Sequence, residues 1–277
     1  MCITPITLKK SKLKHTFDDE LTYLKVPCGK CIECRKARVN QWFVRLSQEL
    51  KRSTSAYFVT LTYDDQYLPY TDNLNDTLNY NDIVKFFKRL RKKQAKKHSN
   101  KLRYYAVGEY GSNYNRPHYH ALIFNVDEAD DIVNEWKLGF VHIGKVEPQS
   151  IYYTLKYTLK SSVNEKDETT DRLPEKALMS KGLGENFLTD EVIRRYKHQP
   201  DRPMILLDGV KLNLPRYYRD KIFIEKDGTK RIDLLQKRRK LSKKYIEQSF
   251  DKTLDPIYPQ RIQKIYNDVR KKIQKTD

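Results

Sequence analysis

An ordered run of patterned segments between residues 57 and 161 constrains this chain more than any other feature. Tyr57-Phe-Val-Thr-Leu-Thr-Tyr63 is β-branched and aromatic and reads as a strand. Asp64, Asp65 and Pro69 mark a loop. Residues 81–97 then place Ile83, Val84, Phe86, Phe87 and Leu90 at helical spacing among lysines, with Asn79 or Asn81 as N-cap. Residues 102–110 and 117–125 read as strands around a turn at 111–115, where Gly and Asn tolerate left-handed backbone. Residues 127–136 form a helix with an acidic first turn, which suits the helix dipole. A strand over 140–146 follows, then a helix over 149–161 opened by Pro148. This order predicts an α+β fold, an antiparallel central sheet with flanking helices on one face.

The flanks read differently. Residues 1–54 hold a cysteine cluster and a basic helix (35–53, with Ala37, Trp42, Val44, Leu46 and Leu50 apolar), expected to pack on a catalytic core at 55–165. Residues 166–277 form a basic accessory region, partly helical. Within it, 164–171 reads as a polar linker or lid, Gly182 and Gly184 mark a loop, and Lys237, Arg238, Arg239 and Lys240 stand in a dense basic run. Ile262, Ile265, Tyr266, Val269 and Ile273 outline an amphipathic helix over 259–277. The basic run reads equally as a DNA-backbone contact and as a solvated charged helix.

The net charge of +19 predicts a polyanionic partner, because contacts to phosphates release condensed counterions. Flat rings among cations suit unpaired bases, although most of the 20 tyrosines read as strand and core residues. No stretch reaches the roughly 20 apolar residues of a membrane span, and residues 1–14 lack the apolar core of a signal peptide. The expectation is a soluble protein of a reducing cytoplasm, with no membrane partner. In that setting Cys28, Cys31 and Cys34 read as metal ligands before disulfides. Cys2 or His15 completes a zinc set of four, and free thiols remain an equal alternative.

The chemistry concentrates in Arg116-Pro-His118-Tyr119-His120. Strand alternation turns His118 and His120 to one face, where two imidazoles can hold a divalent metal. A hairpin would bring Glu109 beside them as a third ligand. In Tyr152-Tyr153-Thr-Leu-Lys156-Tyr157-Thr-Leu-Lys160, helical spacing aligns Tyr153 with Tyr157 and Lys156 with Lys160. Two phenols on one face suit two successive attacks on phosphorus, with the lysines stabilising phosphate. That helix taken alone reads as aromatic packing with solvated lysines. Thr60 and Thr62 share a strand face and, with Arg116, are candidate DNA contacts; a half-buried strand explains the threonines as well.

The combination resembles the HUH endonuclease superfamily. The residues are Pro27-Cys28-Gly-Lys-Cys31-Ile-Glu-Cys34-Arg35 with Trp42, Phe58-Val-Thr-Leu-Thr-Tyr63, Gly108-Glu-Tyr-Gly111, Arg116 to His120, Trp136, Gly139-Phe-Val and Tyr153 to Lys160. Within the superfamily the pattern is similar to the replication initiators of gokushoviruses, single-stranded-DNA phages of the Microviridae, over about residues 25–185. The resemblance implies an HUH/RRM-like nickase fold. It implies Mg²⁺ or Mn²⁺ on His118, His120 and Glu109, and Tyr153 and Tyr157 as nucleophiles that nick a viral origin and form a 5′-phosphotyrosine link in rolling-circle replication. It further implies host polymerase and helicase as partners and the bacterial host's cytoplasm as the location. No phosphate loop of the Gly-x-x-x-x-Gly-Lys-[Ser/Thr] type is present, so no built-in helicase is expected. The alternatives are a single-tyrosine relaxase or transposase and a non-catalytic single-strand-binding protein.

Overall fold

The computed structural model describes residues 2–9, 23–94, 101–160, 171–199 and 204–223. His15, the basic run at 237–240, the proposed helix at 259–277 and nearly all of the 164–171 segment lie outside the described residues, as does the side chain of Lys160.

A five-stranded antiparallel sheet carries the fold. Its strands are β3 (Ala56–Thr62), β4 (Arg103–Tyr110), β5 (Pro117–Phe124), β6 (Val141–Lys145) and β7 (Ala177–Met179), in the order β6-β3-β5-β4-β7. Every neighbouring pair is antiparallel. The first four strands fall where the patterning predicts them. The fifth was not expected: β7 is three residues long, too short to show a period, and comes from the segment after residue 165.

Helices cover both faces of the sheet, not one. On the first face, α2 (Tyr80–Gln94) and α3 (Ala129–Glu135) pack Ile83, Phe86, Phe87, Leu90 and Ile132 against Val59, Leu61, Ala106, Tyr119, Ala121 and Ile123. On the second, α1 (Ile32–Leu50) and α4 (Pro148–Lys160) pack Val39, Leu46, Ile151 and Leu155 against Tyr105, Val107, Leu122 and Phe124. The cause is legible in β4 and β5: both alternating sets are apolar, so strands at the sheet centre are buried on each side. Asn79 caps α2, its side-chain oxygen accepting the backbone N–H of Asn81 at 3.1 Å.

Two smaller parts attach to α1. At its start, the hairpin of β1 (Ile6–Lys9) and β2 (Tyr23–Val26) pairs Ile6 with Val26. Along its other half, α5 (Asp190–His198), β8 (Met204–Leu207), β9 (Val210–Asn213) and α6 (Arg216–Phe223) gather a third apolar cluster around Val44, Leu207, Tyr218 and Ile222. Glu49 of α1 is fully buried and accepts the N–H of Gly184 at 2.6 Å, with Arg103 Nε at 3.5 Å. That charged contact ties the later elements to α1 and the sheet.

Gly139 sets where β6 meets β3. Leu138 accepts the N–H of Asp64 at 2.8 Å, and Phe140 accepts that of Thr62 at 3.0 Å. A Cβ on Gly139 would stand 2.5 Å from both Asp64 N and Thr62 O. These are backbone atoms and cannot rotate away. Gly139→Ala is therefore expected to lower stability by roughly 1–3 kcal/mol. The drop would appear as a lower urea midpoint at unchanged slope; a parental midpoint would mean the two strands separate freely here.

Candidate active site and cysteine cluster

Register builds the site. In the β4–β5 ladder Glu109 stands opposite His118, and in the β3–β5 ladder Thr60 stands opposite His120 and Thr62 opposite His118. Glu109, His118 and His120 thus emerge together on the face covered by α4. The two Nε2 atoms are 3.2 Å apart, and Glu109 Oε2 lies 3.5 Å from His118 Nε2 and 3.2 Å from His120 Nε2. Three donors held at ~2.0–2.2 Å by one divalent ion stand about 3.0–3.5 Å apart, so this triangle fits a metal. A two-histidine, one-carboxylate set would hold such an ion with ligand positions to spare.

The outer nitrogens are held as metal-ligating histidines require. His118 Nδ1 donates to the carbonyl of Arg116 at 3.0 Å, which leaves the Nε2 lone pair available to a metal. His120 Nδ1 pairs with the Thr60 hydroxyl at 3.0 Å, and the ring of Phe58 lies nearly parallel to His120 at 5.7 Å. Burial opposes ionisation of Glu109, but hydrogen bonds from His118 and His120 overcome it and hold the carboxyl at about 2. For His118 burial works against the charged form, and the contacts to Glu109 and the Arg116 carbonyl outweigh it and raise its pKa. His120, more deeply enclosed, is lowered by burial.

Helix α4 lays both tyrosines against the same imidazole. Tyr153 meets the His120 ring edge-on at 5.1 Å, and Tyr157 stacks on it at 5.7 Å. The two phenol rings are 5.2 Å apart. Tyr157 is 3% exposed and hydrogen-bonds to Tyr153 and Glu109. Burial first, and then the Glu109 charge, push its phenol well above the ordinary range. Tyr153 is half-buried, and Lys156 occupies the turn between them.

Several residues picked from the sequence have other engagements. Thr60 orients His120, and the Thr62 hydroxyl donates to the Phe140 carbonyl at 3.2 Å. Arg116 braces the loop after β3 through the Tyr63 carbonyl at 2.6 Å and Asp65 at 2.7 Å. The roles of Phe58 and of the Arg116 carbonyl went unread in the sequence. Alternation could have found Phe58, two residues before Thr60; no side-chain signal marks a backbone oxygen.

A second donor cluster closes the start of α1. The sulfurs of Cys2, Cys28, Cys31 and Cys34 all lie within 4.8 Å of one another. Cys2 is 3.8 Å from Cys31, and Cys28 is 3.9 Å from Cys34. Sulfurs placed tetrahedrally at ~2.3 Å around zinc stand about 3.8 Å apart, so this set also fits. Backbone N–H groups of Lys30 and Cys31 point at Cys28 Sγ, at 3.4 and 3.2 Å, and that of Cys28 points at Cys2 Sγ at 3.3 Å. The Thr4 hydroxyl and the two N–H groups draw the Cys28 thiol down to about 5.

Residues 56–162 match the family model for the replication-associated protein ORF2. The replication-associated protein ORF2 of Spiroplasma virus 4 is 32% identical over 244 residues, covering 80% of this chain and 76% of the relative. The replication-associated protein VP4 of Bdellovibrio phage phiMH2K is 30% identical over 227 residues, 73% and 68% of the two chains. The replication-associated protein ORF4 of Chlamydia phage 1 is 26% identical over 219 residues, 70% and 53%. No solved structure shows significant similarity to the chain. With four of the five central strands, the two histidines and the tyrosine helix inside the matched segment and its relatives aligned over most of their length, this chain belongs to the family of phage replication-associated proteins.

Proposed function

We propose that the protein is a replication initiator that nicks single-stranded DNA at a viral origin by metal-assisted tyrosine attack and later rejoins the ends. The observation that carries this reading is the contact of both Tyr153 and Tyr157 with His120, a member of the Glu109, His118 and His120 donor set. Nucleophile candidates and metal ligands come from separate elements, and packing joins them at one point.

A divalent ion on Glu109, His118 and His120, Mg²⁺ or Mn²⁺, supplies positive charge to the scissile phosphate. The chain's own residues supply the rest. One tyrosine oxygen attacks phosphorus, the P–O3′ bond breaks, and the phenolic proton ends on the departing 3′-oxygen. The products are a 5′-phosphotyrosine and a free 3′-hydroxyl, which a host polymerase extends while a host helicase unwinds. Attack by the second tyrosine at a regenerated origin releases a new 3′-hydroxyl. That hydroxyl displaces the first tyrosine and closes the circle; the phosphodiester energy is conserved, so no ATP is consumed. Lys156 and Lys160 add cations on the helix that carries the nucleophiles, and Lys237, Arg238, Arg239 and Lys240 are assigned to the DNA backbone. The Cys2, Cys28, Cys31 and Cys34 cluster is assigned to structural zinc.

The nucleophiles are tested on single-stranded genomic DNA with Mn²⁺ or Mg²⁺ against EDTA, reading covalent adducts on denaturing gels. An adduct is expected with metal, from the parent and from at least one of Tyr153→Phe and Tyr157→Phe, and none from the double variant. Tight DNA binding with no adduct under any metal would leave a binding protein. One fully dispensable tyrosine would leave a single-tyrosine enzyme.

The donor set is tested by calorimetric Mn²⁺ titration. Glu109→Gln should abolish measurable binding, and Thr60→Val, which removes only the partner of His120, should weaken it about 10- to 100-fold. Parental affinity in Glu109→Gln would remove the triad from consideration. For the cysteines, elemental analysis of reduced protein should find one zinc per chain, lost in Cys31→Ser together with thermal stability. Protein that neither carries zinc nor takes it up would return these residues to free thiols.

A further inference from the structure

Four aromatic side chains stand out into solvent: Tyr67 is 45% exposed, Tyr70 54%, Tyr114 88% and Phe140 66%. No other Phe, Tyr or Trp among the described residues is comparably exposed. They do not scatter over the surface. Tyr67 and Tyr70 lie between β3 and α2, Tyr114 between β4 and β5, and Phe140 between α3 and β6. All three connections leave the same end of the sheet, where β5 begins with Pro117 and His118 and where Thr62 faces His118.

Hydrogen bonds bind the three connections together. Arg116, in the β4–β5 turn, reaches the Tyr63 carbonyl and Asp65 after β3. Asp64 N–H donates to Leu138, and Thr62 donates both its N–H and its hydroxyl to the Phe140 carbonyl. The face is also fixed at β6. Val141 packs into the α2–α3 cluster, and His142 stands opposite Thr60. Alternation therefore turns Phe140 and His142 toward the face that carries Thr60, Thr62, His118 and His120.

We propose that these four rings form a collar that grips the DNA strand by stacking on the unpaired bases flanking the scissile phosphate, with Phe140 and Tyr114 nearest the donor set. The inference rests on the nickase reading and assigns its substrate-holding surface. Flat, solvent-facing rings engage single strands, because paired bases hide their faces inside the duplex. Exposed cations accompany the rings: Lys137 precedes Phe140 by three residues, and the Arg116 side chain, paired with Asp65, is 41% exposed. Together they suit a sugar-phosphate backbone running across the sheet end. A strand held there presents one phosphate to the open side of the triad while its neighbouring bases are splayed apart. The collar thereby selects melted over duplex origin.

The test is fluorescence anisotropy with a labelled thymidine oligonucleotide of about 20 nucleotides in EDTA, so that binding is read without cleavage. Phe140→Ala and Tyr114→Ala are each expected to weaken single-strand binding about 5- to 100-fold while leaving duplex binding nearly unchanged. Phe140→Trp should restore binding. Leu206→Ala, which removes a 64%-exposed apolar side chain on β8, should not alter it. Parental Mn²⁺ affinity and urea midpoint in the alanine variants would certify their fold. Parental single-strand affinity in both alanine variants would overturn the collar and leave the nickase reading intact. A parent protein that binds single strands no better than duplex would overturn that reading as well.

Discussion

Cross-strand register is the constraint on which the rest depends. Glu109 meets His118 and Thr60 meets His120 because β3, β5 and β4 pair in one alignment. A slip of one residue would turn every second side chain to the opposite face and disperse the donor set. Apolar patterning cannot guard against that here, since the central strands are apolar on both faces. The β4–β5 turn guards it instead. Gly111 N–H donates to the Arg116 carbonyl at 3.0 Å, and Asn115 N–H donates to Gly111 at 2.8 Å with Asn115 in left-handed backbone. The Arg116 carbonyl that closes the turn also accepts from His118 Nδ1, so a single oxygen sets the register and the ring orientation.

Burial serves two ends in α4. Ile151 and Leu155 anchor the helix in the core of the second face, and the interleaved Tyr153 and Tyr157 come against His120. An enclosed phenol beside a carboxylate resists ionisation, as the raised Tyr157 shows. A cation held by Glu109, His118 and His120 would offset the carboxylate's part of that penalty. The packing that raises the Tyr157 phenol is also what would couple it to any charge held at the triad.

Much of this was legible because the relevant periods are short. Two-residue alternation exposes His118 and His120 as a pair, and four-residue spacing does the same for Tyr153 and Tyr157. Features that depend on distant segments were not legible. Cys2 reaches Cys28 because the β1–β2 hairpin folds it back, and the bare sequence left it competing with His15. The covering of both faces was misjudged because a strand with two apolar sets does not announce which helices it will meet. The exposed rings escaped notice for a related reason: 20 tyrosines offer too many candidates until exposure separates the few that core packing does not claim.

The two donor sets differ in the ions they would hold. Four thiolates around a tetrahedral site favour a soft ion such as zinc and leave no position for substrate. Two imidazoles and a carboxylate would, under the proposed function, take a harder ion able to exchange and to meet a phosphate oxygen. Their positions follow the same division. The cysteines close the N-terminal end of α1, where they hold the hairpin to the helix that packs on the sheet. The triad sits on the sheet itself, beneath α4. Under the proposed function an ion at the triad would be free to exchange, while the cysteine set at the start of α1 would serve the scaffold.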